Sequence, residues 1–168
     1  MPHVIDVLAF KQSSNRAIFK EVAVLSLEAD TQPNVFLYKP PFSWEVLPAE
    51  YKSSNNWLEK NSYGLCWEWG DIPYERLRET LERSLNGSQT IFCKGSEKKK
   101  WLQELLPTKY VYNIEKINCP PLRKLPSIKH FSCSNHMWEE ATCAARNVHL
   151  LREWFSEEYM ASVVRVSE

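Results

Sequence analysis

The sequence predicts an α/β fold: one mixed sheet with helices on its flanks. Three observations predict it. The first forty residues carry three apolar, β-branched runs separated by short polar turns. From residue 71 onward, helix-period and strand-like segments alternate. A hydrophobic content of 43% in 168 residues, with seven each of Trp, Tyr and Phe, suffices for one sizeable core, so a single domain over 1–168 is expected.

"HVIDVLAF", "AIFKEVAVLSL" and "NVFLYK" read as strands joined at "KQSSNR" and "EADTQP", which makes an antiparallel meander. "KPPFSWEVLP" ends it, because two adjacent prolines cannot donate to a ladder. Ser43 to Gly70 holds four tryptophans, Trp44, Trp57, Trp67 and Trp69, with few helix or strand signals, and reads as an ordered connection. In "DIPYERLRETLERSL" Leu77, Leu81 and Leu85 repeat at helical spacing, Asp71 is the expected cap, Pro73 suits a first turn and "NG" ends the helix. "QTIFCK" is a buried strand, "SEKKKWLQELL" a helix expected to be capped by Ser96, and "KYVYNI" a fifth strand. A Pro-broken connection leads to a terminal helix expected from Glu139 to about Ser162. The order β-β-β-α-β-α-β-α predicts a ribonuclease-H-like mixed sheet, a three-strand antiparallel meander plus parallel strands, flanked by helices.

Formal charge is zero and the pI about 6.9, so no global field points to nucleic acid or a membrane surface. "MPHVIDVLAF" has no basic segment, long apolar run or cleavage site of a secretory signal, and no apolar run nears bilayer length. A soluble protein of the cytoplasm or nucleus, not secreted and without a membrane partner, is the expectation. Five cysteines, at 66, 93, 119, 133 and 143, form an odd set without framework spacing, which favours reduced thiols and metal ligands over disulfides.

Cys133, His136 and Cys143 place two thiols and an imidazole within eleven residues of "CSNHMWEEATC". Thiolate and neutral imidazole are good Zn²⁺ ligands, and a C-x2-H pair lets two side chains of one turn reach one ion. A structural site needs a fourth ligand. His130 would make the site wholly local, Glu21 would tie the sheet to the last helix, and Cys119 is a more distant choice. Small buried thiols and a histidine bonded to backbone are the plainer alternative.

"FKEVAVLSL" resembles the glutamate-bearing strand of the Maelstrom domain, and "NCPPLRKL" with "CSNHMWEEATC" resembles its Cys-Pro segment and zinc-binding Cys, His and Cys. The resemblance spans most of the chain in element order and rests on these short motifs. It implies zinc held by Glu21, Cys133, His136 and Cys143. It also implies a ribonuclease-H-like fold related to the DEDD exonucleases, with the acidic set replaced, and with it a ribonuclease activity on single-stranded RNA and a part in small-RNA silencing of transposons.

Two-metal nuclease chemistry requires several carboxylates converging on a pair of Mg²⁺ ions. In "IDVLAF" Asp6 is present, but the next position on the same face is Leu8, which cannot ligate. Alignment puts Lys98 where a second acid would stand and Asn147 where the last would fall. Asp6 is thus the one retained catalytic candidate, and standard catalysis is not expected. A rearranged site would have to recruit Glu28, Asp30 or Glu115 to Asp6.

Between Lys94 and Lys129 nine Lys or Arg face three Glu. Lys94, Lys98, Lys99 and Lys100, with Trp101 as a stacking face, are the candidate nucleic-acid contacts. A solvated helix start is the plainer reading of "EKKK". The tryptophan-rich connection reads as a satellite core whose exposed remainder would suit a protein partner. Three functions follow: a zinc-stabilised, catalytically degenerate module binding single-stranded RNA or a protein, an active single-stranded RNA nuclease, or a protein scaffold that binds no nucleic acid.

Overall fold

In the computed structural model the described residues are 1–126 and 133–167, with side chains described through Glu158. Five strands form one sheet in the order β3-β2-β1-β4-β5: β1 (His3–Ser13), β2 (Arg16–Ser26), β3 (Asn34–Leu37), β4 (Thr90–Cys93) and β5 (Tyr110–Asn113). The β1, β2 and β3 strands are antiparallel, whereas β4 runs parallel to β1 and β5 parallel to β4. This is the mixed sheet expected from element order. The parallel crossover runs through α3 (Ser96–Leu105), while α2 (Leu77–Ser84) precedes β4 and α4 (Ala144–Ser167) closes the chain.

The central strands are buried on both faces, so apolar runs replace simple alternation in β1 and β2. On one face Ile5, Val7, Val22 and Val24 pack with Leu77, Leu81 and Leu102 of α2 and α3. On the other, Val4, Leu8, Ala23 and Leu25 pack with Ala144, Val148 and Leu151 of α4. A third cluster of Phe10, Ile18, Leu47 and Trp67 lies beneath the tryptophan-rich connection, the satellite core expected there. Trp57 and Trp69 remain exposed.

Three local expectations are corrected. The connection contains a helix, α1 (Ala49–Leu58), whose buried residue is Asn55 and not an apolar one. The Asn55 amide takes the place of a neighbouring strand: it accepts from Lys11 N–H at 2.9 Å and donates to Lys11 C=O at 2.8 Å. Neither Asp71 nor Ser96 caps a helix. A short 3-10 turn at Tyr74–Arg76 leads into α2, and Gly95 precedes α3 with Ser96 already helical. The terminal helix starts at Ala144 rather than Glu139, because the preceding turn is held by other partners.

Candidate metal centre and the Asp6 crevice

Glu21 sits mid-β2 with no exposed surface, next to Lys20, which is also buried. A β-bulge reconciles the two charges. Leu8 pairs with Glu21 but Ala9 pairs with Phe19, so Lys20 is the extra residue. Its ammonium donates to the carbonyls of Tyr38 at 3.1 Å and Trp67 at 2.7 Å, and to that of Trp69. Burial pulls Lys20 from 10.5 down to about 8, against the opposing pull of Glu59 and Glu68. With the bulge spent on Lys20, Glu21 faces α4.

There Glu21 meets Cys133, His136 and Cys143, and one potential ligand atom from each of the four lies within 4.8 Å of the others. The structure therefore assembles the set that the motif and the resemblance implied, a group able to hold a metal ion. Cys119 lies outside it, its thiol donating to Pro120 C=O at 3.6 Å, and His130 lies outside the described residues.

The donor set fits a tetrahedral ion. Ligand bonds of about 2.0–2.3 Å give edges of about 3.3–3.8 Å, so closure from the observed spread is small. His136 Nδ1 donates to Tyr63 C=O at 2.6 Å, which leaves Nε2 to face the centre, 3.0 Å from Glu21 Oε1. Asn135 Nδ2 donates to Glu21 Oε2 at 3.1 Å, and Ala144 N–H, in the first turn of α4, donates to Oε1 at 3.0 Å. This bond sets where α4 begins.

Burial opposes the charge on Glu21, but hydrogen bonds from His136, Asn135 and Ala144 hold its carboxyl below the usual range. A hydrogen bond from Cys133 brings the Cys143 thiol down to about 5 against the cost of burial, with His136 assisting. The same bond, followed by burial, pushes Cys133 up. His136 rises to about 10: burial works against its charge, and Cys143 and Glu21 outweigh it. The cluster brings a carboxylate, two thiols and an imidazole into a group that could hold a metal ion.

The ligand turn is templated by Ser62–Gly64. Met137 N–H donates to Gly64 C=O at 2.8 Å, and Thr142 N–H to Ser62 C=O at 2.8 Å. Gly64 has φ +59, and a Cβ there would meet Met137 N at 3.1 Å and the Trp138 ring at 3.2 Å. Tyr63, Gly64, Asn135 and Ala144 were not foreseen. Only the glycine left a trace in the sequence, as one of four in the chain.

Beside this group lies the crevice between β1 and β4, where the strand order reverses. Asp6 is 1% exposed there. Lys98 Nζ donates to its Oδ1 at 2.6 Å and Asn147 Nδ2 to its Oδ2 at 2.8 Å, so the two residues singled out by alignment do meet Asp6. Leu8 is buried in the apolar cluster under α4. Among the described residues Glu21, Cys133, His136 and Cys143 are the only such group of potential ligands, so Glu28, Asp30 and Glu115 do not gather around Asp6. Glu115 pairs instead with Lys94 at 3.0 Å.

Of the other candidate contacts, Lys99 and Lys100 are exposed, while Trp101 is half-buried with its ring 6.4 Å from that of Phe19. All five cysteines are free thiols. Among the described residues no helix is long and apolar enough to cross a membrane. No family model matches the chain, and no curated protein matches it.

Proposed function

We propose that this protein is a zinc-stapled, catalytically silent ribonuclease-H-like module that acts by binding. The observation that carries this reading is the Asp6 crevice. A carboxylate already neutralised by an ammonium at 2.6 Å and occupied by an amide at 2.8 Å offers nothing to Mg²⁺. The metal is zinc in this reading because two thiols and an imidazole are soft donors that suit it, and a partly buried set of four ligands leaves no open position for chemistry. The Maelstrom resemblance agrees with the ligand set and suggests a place in small-RNA silencing.

In this reading the ligand of the exposed basic residues is single-stranded RNA. Lys99, Lys100, Lys116, Arg123 and Lys124 are exposed, and among the described residues none of them is in an ion pair. Lys94 and Lys98 are engaged with carboxylates and contribute less. Purified protein incubated with labelled single-stranded RNA, with Mg²⁺ or chelator, is expected to retard the RNA in a salt-dependent way and leave it intact. Lys99→Glu with Lys100→Glu weakens the retardation. Cleavage that disappears in Asp6→Ala would replace this reading with that of an active nuclease, and no retardation at low salt would remove RNA as the ligand.

A further inference from the structure

The β1–β2 ladder turns backbone amides outward on both of its edges, and among the described residues those of Lys11 are covered while those of Ala17 have no strand beside them. Lys11 pairs with Ala17. Lys11 turns its N–H and C=O away from β2, since both are bonded to the Asn55 amide. In an antiparallel ladder the residue opposite must do the same, so Ala17 directs its N–H and C=O away from β1. Phe19, two residues on, confirms the phase: its N–H leaves the ladder to the Tyr74 hydroxyl at 3.0 Å.

Among the described residues no strand pairs with Ala17 on that side. The β3 strand pairs only with Glu21–Val24, a backbone bond joins Tyr38 N–H to Lys20 C=O, and the chain then departs through Pro40 and Pro41. In place of a strand there is a groove of about 470 Å³, walled by Phe42, Tyr74, Leu77, Trp101 and Leu105 and floored by Ala17 and Phe19. It continues past Phe42 and Arg16 into a second depression of about 390 Å³ bounded by Val46, Leu47 and Pro48. Arg16 and Arg78 stand exposed on its rim, and among the described residues neither is in an ion pair. Among the described residues Glu104 is the one acid lining it.

We infer that this groove is a docking site for an extended peptide segment of a partner protein, added to the edge of β2 at Ala17. The open N–H and C=O form two main-chain hydrogen bonds with the segment. An apolar side chain enters between Phe42, Tyr74 and Trp101, and flanking Asp or Glu side chains meet Arg16 and Arg78. The Tyr74 hydroxyl accepts from Phe19 and keeps its own proton to donate into the groove. A continuous trough along a strand edge matches an extended chain better than a compact ligand. Stacked bases do not fit, because Phe19 is 5% exposed and the Trp101 ring is tilted 54° against it rather than presented flat. The site shares no residue with the metal group, and through Trp101 it adjoins Lys99 and Lys100 on α3.

The test pans a displayed library of random peptides, each about ten residues long, against the intact protein, then measures the best synthetic peptide by fluorescence anisotropy. The enriched sequences are expected to share an apolar residue flanked by Asp or Glu. Ala17→Pro removes the open donor without touching a ladder bond, and should weaken binding about fivefold to tenfold. Arg16→Glu with Arg78→Glu, two exposed changes that keep the test valid if the proline variant does not fold, should weaken it about tenfold and turn the enriched sequences basic. Absence of a shared motif would overturn the proposal, and so would undiminished binding by either folded variant. Displacement of the peptide by a single-stranded oligouridine, lost in Arg16→Glu with Arg78→Glu, would reassign the groove to nucleic acid.

Discussion

Two buried carboxylates lie on neighbouring strands beneath the same helix and have opposite fates. Asp6 on β1 and Glu21 on β2 both face α4, and the first turns of that helix serve both: Ala144 N–H bonds Glu21, and Asn147 bonds Asp6. Asp6 is surrounded by fixed neutralising groups, a lysine and an amide. Glu21 is surrounded by thiols and an imidazole. One pocket holds its own cation covalently tethered to the chain, whereas the other is a group that could hold an added one. Leu8, which stands on the same face as Asp6 where a nuclease strand would need a second acid, pairs directly with Glu21. A second carboxylate thus stands one strand over from Leu8, about 5 Å away, in a set of different chemistry.

The largest effect is expected at the metal group. Cys143→Ser or His136→Ala removes a ligand of the set that holds the start of α4 on the sheet, and should cost about 4 kcal/mol, a drop in Tm of about 10 °C by circular dichroism. If these variants melt with the wild type, the contrast between the two pockets is lost. Next comes Lys98→Met. It strands Asp6 as a buried charge, at about 3 kcal/mol in urea unfolding, the low end for a broken buried pair because Lys98 is partly exposed. Adding Asp6→Asn should recover most of that loss, since the double change removes both charges. A double variant no better than the single would show that packing, not charge, dominates the crevice.

Gly64→Ala sharpens the comparison from the scaffold side. It forces a left-handed φ of +59 on alanine and presses a methyl on Met137 and Trp138, at a cost of about 2 kcal/mol. Metal affinity should fall with it, while the Asp6 crevice is unchanged. The smallest effect concerns Lys20, whose bulge turns Glu21 toward α4. Its folded value of about 8 lies below the ordinary 10.5, so between those two pH values the unfolded chain binds more protons. Stability therefore rises with pH across that window, apart from other titrations, and the rise is absent in Lys20→Met. Equal slopes in the two proteins would remove Lys20 as its cause.

The sheet could be read from the sequence because its strands are apolar, β-branched and punctuated by turn residues, and parallel crossovers leave few ways to connect them. Cys133, His136 and Cys143 were readable as candidates because two thiols and an imidazole at short spacing suit one ion, but spacing alone did not exclude a plain buried role and the resemblance was needed to choose Glu21 as the fourth. Lys98 and Asn147 were reached by alignment to Asp6, and they meet it. Helix α1 was missed for a physical reason: its anchor is Asn55, an amide standing in for a strand, which hydrophobic periodicity cannot register. Tyr63 was missed because it orients His136 through its backbone carbonyl, a group every residue has. The burial of Lys20 needed the bulge, and a bulge is a property of two strands in register rather than of either run of residues.

The central claim is that a metal ion fastens α4 to β2 through Glu21, Cys133, His136 and Cys143. Elemental mass spectrometry of the purified protein, beside Cys143→Ser, tests it most directly. The account predicts about one zinc per chain in the wild type and a marked loss in the variant. Protein that folds and carries no metal, or a variant that retains as much as the wild type, would contradict it.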